Sequence, residues 1–373
     1  MNKRKKAWYL SLAVLFIVIY CLIFLWVRID NPRAVKRQYF QDWRKHYLVA
    51  IPHTNQSFVK MTVAGRSRYT TSEALGYGMY LSVVSADHNE HAQADFKRLT
   101  NYYLAHRLKN SELMAWRQQI IRRKYRSDQT SASDGDLMIA QALYLASRQW
   151  HNERYLQLSK QLANEIMASE VNHQNNTIQL GNWVPKTRVT KYHYYIRTSD
   201  CMPYVFDDLY QATGDARWIM VRKGMLHYLK SLSKLHRTGL IPDFARIEGQ
   251  KVIPAKAKAI ATKNDGDYGY NSCRLPWLLA GYQKDGAPQI LDKMLRFFKD
   301  ADYLAAGYHL NGRPLSKSQS ASFDAPVFAA VNMNRTSKYS NLYTREQYIF
   351  AQKLPTDNYY DATLTVLAMY SNR

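Results

Sequence analysis

The chain has 373 residues with 52 basic and 29 acidic side chains, and 46% of its residues are hydrophobic. That hydrophobic share excludes a disordered tail, while 15 Gly, 11 Pro and 3 Cys exclude collagen-like repeats and a disulfide framework. A large apolar core must therefore supply the stability.

The N-terminus differs from everything after it. Lys3, Arg4, Lys5 and Lys6 precede residues 7–27, which carry no charge. At about 1.5 Å per residue this run makes a helix roughly 30 Å long, the thickness of a bilayer hydrocarbon core. A cleavable signal peptide usually has a shorter apolar region, about 7–15 residues, and a small-residue cleavage site. The expectation is an anchor over residues 1–28 with its basic end in the cytoplasm, interfacial Trp8, Tyr9 and Trp26, and one domain outside, residues 29–373. Removing residues 1–28 takes away five basic side chains and no acidic one, so the outer part stays basic. Anionic cell-surface polymers are plausible neighbours. Nucleic acid is not expected, because the basic residues are scattered and no zinc-finger spacing, RNP motif or GxxG loop accompanies them.

From residue 33 on, segments apolar nearly all round alternate with amphipathic ones. The first kind begins near Glu73, Asp134, Ser199, Asn271, Ser322 and Thr356; the second near Arg33, Glu90, Asn152, Asp215, Ala287 and Lys338. Six inner and six outer helices make an all-α (α/α)6 barrel. The stretches 110–133, 171–198 and 238–270 are long enough to form rims around a groove.

Three polar clusters open inner helices, which would aim them at one end of the barrel. In Thr71-Ser72-Glu73, Ser72 is the expected helix cap, and Glu73 is either a first-turn acid favoured by the helix dipole or a reactive group. Ser133-Asp134-Gly135-Asp136 has two carboxylates; calcium ligation is set aside because no further acids follow at the spacing of an EF-hand. The third cluster runs from Asp265 to Trp277 and contains Asn271 and Arg274. A buried Arg274 needs a carboxylate, and the other two clusters offer one. Trp116, Trp183 and Tyr204 are aromatic candidates for stacking on sugar faces. Cys201 and Cys273 flank these motifs, and their pairing is left open. Acids with aromatics suggest glycoside hydrolysis, in which one acid protonates the leaving oxygen and a second carboxylate activates water or attacks carbon.

Over about residues 65–370 the sequence resembles glycoside hydrolase family 8. The run from Ala132 to Trp150 is similar to the family signature, with Tyr144 where a smaller aliphatic residue is usual, and Ser72-Glu73-Ala74-Leu75-Gly76-Tyr77-Gly78-Met79 is similar to the segment carrying the catalytic acid. The resemblance implies Glu73 as general acid and Asp134 as the sugar-gripping aspartate, with Asp136 beside it. It further implies Trp116 in a stacking position, an (α/α)6 barrel, and an inverting reaction with no metal or cofactor. Where one branch of the family has an aspartate base, this chain reads Tyr268-Gly269-Tyr270-Asn271-Ser272-Cys273-Arg274, and Asn271 cannot take a proton at neutral pH. Asp243, in Gly239-Leu240-Ile241-Pro242-Asp243-Phe244, is the first alternative base and Asp267 the second; Trp183, Tyr204, Asn271 and Arg274 complete the expected substrate contacts. The function expected is a membrane-anchored endo-glycosidase on a β-linked, β-1,4 polysaccharide, such as one exported by the same cell. A non-catalytic polysaccharide binder is the alternative.

Overall fold

The computed structural model describes residues 3–61, 68–121, 124–185, 189–334 and 336–371. Among these, twelve helices follow the alternation read from the sequence. The outer ones are α1 (Lys3–Tyr47), α3 (Ala92–Ala105), α5 (Glu153–Ser169), α7 (Arg217–Leu235), α9 (Ala287–Asp300) and α11 (Ser340–Glu346). The inner ones are α2 (Ser72–Val84), α4 (Ser133–Gln149), α6 (Pro203–Thr213), α8 (Leu275–Leu279), α10 (Ala321–Met333) and α12 (Tyr359–Met369).

Burial explains the division. In α2 the run from Ala74 to Val83 is buried without interruption, whereas α9 buries one stripe, Ile290, Leu291, Met294, Leu295 and Phe298, and leaves its other face polar. A helix apolar all round has to sit inside and a striped one has to cover it. Each inner helix touches the next, and α12 returns to α2, so the inner ring closes.

All three of the long connections are more than plain loops. They fold in part into small antiparallel sheets, Arg68–Thr71 with Arg117–Ile121 and Lys124–Ser127, and Tyr195–Arg197 with Phe244–Glu248 and Lys251–Pro254. Both sheets lie at the end of the barrel where the inner helices begin. The second pairs Arg197 with Phe244, which brings Arg197 next to the chain segment of Asp243.

The N-terminal helix is unlike the rest. Over Ala7–Phe24 its mean hydropathy is 2.5 and none of it is buried, so by length and composition it can cross a membrane. Trp8 and Tyr9 are exposed; the side chains of Lys3, Arg4, Lys6 and Trp26 lie outside those described. The same helix continues past residue 28 and becomes the first outer helix, burying Phe40, Trp43 and Tyr47 against α12. Full burial of each such side chain stabilises the contact by about 2–3 kcal/mol. Cys201 and Cys273 are both buried free thiols.

Candidate active site

The site begins with how α2 and α4 start. Thr71 ends a strand in extended conformation and its side chain accepts the amide of Ala74 at 3.2 Å, so Thr71 is the cap. Ser72, the residue expected in that role, is already helical. Its hydroxyl points at α4, where a Cβ on Gly135 would lie 2.0 Å from Ser72 Oγ and 2.6 Å from its carbonyl carbon. Only a glycine lets the two helix N-termini come this close, and the approach sets Asp134 beside Glu73. Gly135→Ala should force α2 and α4 apart, lowering kcat by about 10²-fold and stability by about 1–3 kcal/mol. Kinetics and thermal denaturation measure both; wild-type values for each would show that this close approach is not needed.

Arg274 ties the acids together. It is fully buried, and Nη1 donates to Glu73 Oε2 at 2.7 Å and to the Tyr77 hydroxyl at 2.8 Å, while Nη2 donates to Ser199 Oγ at 2.6 Å. Both nitrogens also reach Asp134 Oδ2 at 3.4 Å. A second guanidinium, Arg197, makes the closer contact with Asp134 Oδ2, 2.7 Å, and bridges to Asp200 at 3.4 Å. Arg197 Nε is buried and has no hydrogen-bond partner among the described residues.

This arrangement drives the two carboxyls in opposite directions. Burial pushes Glu73 up to about 7 against the pull of Arg274, and the hydrogen bond it shares with Asp134 adds to the rise. Burial also opposes ionisation of Asp134, yet the charges of Arg197 and Arg274 and the hydrogen bonds from Arg197 and Glu73 outweigh it and hold Asp134 below the usual aspartate range. Below about pH 7, Glu73 therefore carries the proton and Asp134 the charge. The Glu73 side chain keeps 19% of its surface exposed against 7% for Asp134, so the proton donor is the member that meets solvent. Two hydrogen-bonded carboxyls are too close to hold a water or a sugar carbon between them, which need about 5–5.5 Å in a retaining glycosidase and 6.5–9.5 Å in an inverting one. Asp134 is thus placed to position and polarise, and the second reacting carboxylate must lie elsewhere.

Asn271 leads to it. Its Oδ1 accepts from Arg274 Nη2 at 3.4 Å and its Nδ2 donates to Asp243 Oδ2 at 3.4 Å. Asp243 Oδ1 accepts the amides of Gly269, Asn271 and Ser272 and the Ser272 hydroxyl, all within 3.1 Å, so it shapes the turn that carries Asn271 and Arg274. Burial pushes the Asp243 carboxyl up even against the bonds from Ser272, Asn271 and Gly269.

The other expected residues are distributed unevenly. Trp116 is half-buried at the site, with its carbonyl accepting the Ser72 amide and the Arg117 guanidinium over its ring at 4.5 Å. Trp183 packs edge-on against Tyr192, 5.0 Å between centroids, beside the small cluster of Tyr195 and Phe244; Phe244 in turn supports Arg197 at 5.9 Å. Asp267 turns to His309 Nδ1 at 2.9 Å. Two residues fall outside the site. Asp136 is sealed, its Oδ1 holding the Met114 amide at 2.9 Å, so it fixes the segment leading to Trp116 and does not reach a ligand. Tyr204 lies at the opposite end of the barrel, edge-on to Tyr282 and lining a cavity of about 620 Å³ with Tyr80, Val84, Leu145, Arg148 and Asp208. Its place near the start of an inner helix was misleading, because Cys201, Met202 and Pro203 already carry the chain into the core before it. Arg197, Ser199 and Asp200 were missed. The only signal was their clustering within Arg197-Thr198-Ser199-Asp200 just before an inner helix.

A helical barrel that presents a protonatable carboxylic acid to solvent beside an ionised one, clamped by two arginines, has the parts that acid-catalysed hydrolysis needs. The profile of Glycosyl hydrolases family 8 matches residues 25–373. The chain belongs to this family and is a glycoside hydrolase acting on O-glycosidic bonds. It is 35% identical over 315 residues to a beta-glucanase of Niallia circulans, covering 79% of this chain and 75% of that protein. It is 29% identical to an endoglucanase of a Bacillus species, covering 81% and 68%. Among solved structures, the apo beta-1,3-1,4-glucanase from Paenibacillus sp. X4 superposes with a TM-score of 0.82 at 32% identity, over 92% of both chains.

Proposed function

We propose that this protein is a membrane-anchored, inverting endo-β-glucanase that works outside the cell. It would cut β-1,4 bonds in a β-linked glucan, including a polymer that its own cell exports. Glu73 protonates the glycosidic oxygen, Asp134 and Arg197 hold the sugar at the point of cleavage, and Asp243 takes the proton of a water oriented by the Asn271 amide. The observation that carries this reading is the divergence of Glu73 and Asp134, since a proton donor has to hold its proton near the operating pH. Asp243 is preferred as base because Asn271 joins it to the Glu73–Arg274 network, whereas Asp267 is engaged with His309. The substrate class is supported by the names of the similar proteins, and the anchor by the exposed apolar helix over Ala7–Phe24. The tether raises the local concentration of enzyme around polymer at the same surface.

The test is release of reducing ends from soluble β-glucans, with the anomer of the first product read by NMR. New α-anomeric ends are expected. Retention of polymer without release would favour the binder that Asn271 raised, and β-anomeric ends would overturn the assignment of Asp243 as a base.

A further inference from the structure

Resting on the anchor reading above, we propose that the barrel stands with its acid site turned away from the bilayer, so that the enzyme cuts polymer only at roughly 30 Å from the membrane surface. The direction follows from how α1 packs. At the C-terminal end of α12 the Tyr370 hydroxyl donates to the Lys36 carbonyl at 3.3 Å; at its middle Trp43 Nε1 donates to Thr363 Oγ1 at 2.9 Å; at its N-terminal end Tyr47 meets Tyr359 edge-on, 5.9 Å between centroids. The helix therefore runs antiparallel to α12 and climbs from the far end of the barrel to the catalytic end. That the N-terminus of α12 is the catalytic end is fixed by Tyr360, whose hydroxyl donates to the Tyr270 carbonyl at 2.8 Å, one residue from Asn271.

The chain thus leaves the membrane and enters the barrel at its far end. Residues 25–33 are helical and span only about 14 Å, whereas residues 34–47 rise about 21 Å along the barrel wall. The connection is too short to double back and lay the site on the bilayer. From Phe24 to Tyr47 the rise is about 35 Å, and an ordinary helix tilt of about 20° shortens this to only about 33 Å. A glycan attached to a membrane component and shorter than this offset cannot reach Glu73. A long polymer that has already cleared the surface can, which makes extended chains, and not short lipid-linked oligosaccharides, the substrate of the anchored enzyme.

The full chain, with Cys21→Ser, would be placed in phosphatidylcholine vesicles carrying a nickel-chelating lipid, and a spin label attached at one of two exposed positions. Arg148→Cys reports the far end and Lys256→Cys the catalytic rim; the remaining thiols, Cys201 and Cys273, are buried. Relaxation by the nickel headgroups should be several-fold stronger for the Arg148 label. Equal or stronger relaxation of the Lys256 label in protein that floats with the vesicles would overturn the orientation alone; protein that fails to float overturns the anchor and the orientation together. In the same vesicles, a β-glucan oligosaccharide on a short lipid tether should survive and then be cut once detergent dissolves the bilayer. Cutting at the same rate in both settings would refute the offset.

Discussion

Glu73→Gln is expected to lower kcat on the order of 10²–10⁴-fold, the range for losing a positioned general acid, while the barrel stays folded. Glutamine keeps the shape of the side chain, and its amide can still donate to Asp134. What it cannot do is release a proton to a leaving oxygen. The wild-type rate should itself fall as pH rises through about 7, because burial holds the Glu73 proton up to that point and not beyond. The sign for stability runs the same way. A carboxyl whose folded pKa is raised stabilises the fold fully below its unfolded value, and this contribution is lost as pH climbs through the folded value. Glu73→Gln removes that titration, so its melting temperature relative to wild type should be higher at pH 8 than at pH 5. A variant with the wild-type rate at all pH values would remove Glu73 from the mechanism. A lost rate with no change in the pH dependence of melting would instead show that Glu73 is not held protonated by its surroundings.

Much of this was legible in the chain because burial leaves a plain pattern. A helix apolar all round, as from Leu137 to Leu143, has few places to go but the inside of a bundle, so the alternation of inner and outer helices was readable without any contact. Glu73 and Asp134 were readable for a related reason: acids at the head of such helices must point out of the core or be paired. Their opposite protonation was not, since it depends on Arg197, which reaches Asp134 from a strand 63 positions later in the sequence. Hydrophobic periodicity does not register an arginine in a short rim strand. Asp136 and Tyr204 show the opposite error. Tyr204 comes after the chain has already entered the core, and Asp136 stands near the start of an inner helix like Glu73, but each residue of a helix turns the side-chain direction by about 100°. Of two residues near a helix start, one faces the rim and the other packs inward, and which is which depends on the neighbouring helix. The capping role went to Thr71 and not Ser72 because the helix begins one residue earlier than the apolar pattern implied, with Ser72 already inside it.

Asp243→Asn is the sharper test of how water is activated. The Asp243 carboxylate does two things at once: Oδ1 gathers three amides and the Ser272 hydroxyl, and Oδ2 faces the Asn271 amide. Asparagine preserves the first, because its Oδ1 still accepts those donors, at a cost of about 1–2 kcal/mol for weaker, uncharged hydrogen bonds. It abolishes the second, because an amide nitrogen accepts no proton. The expected result is a folded protein with kcat lowered on the order of 10²–10⁴-fold. Wild-type activity should also decline at low pH as Asp243 is protonated, and that acid limb should be missing from what activity the variant retains. Asp267→Asn provides the contrast: its partner is His309, and the substitution should leave activity within about tenfold of wild type, well short of the loss expected for a base. If the two variants exchanged behaviour, the water would have to lie on the His309 side of the turn, and Asn271 would serve only to brace Arg274. If neither lost activity, the oriented water would have to give its proton to a group outside this turn. Either outcome would leave the assignment of Glu73 untouched, because the donor and the acceptor act on opposite faces of the sugar.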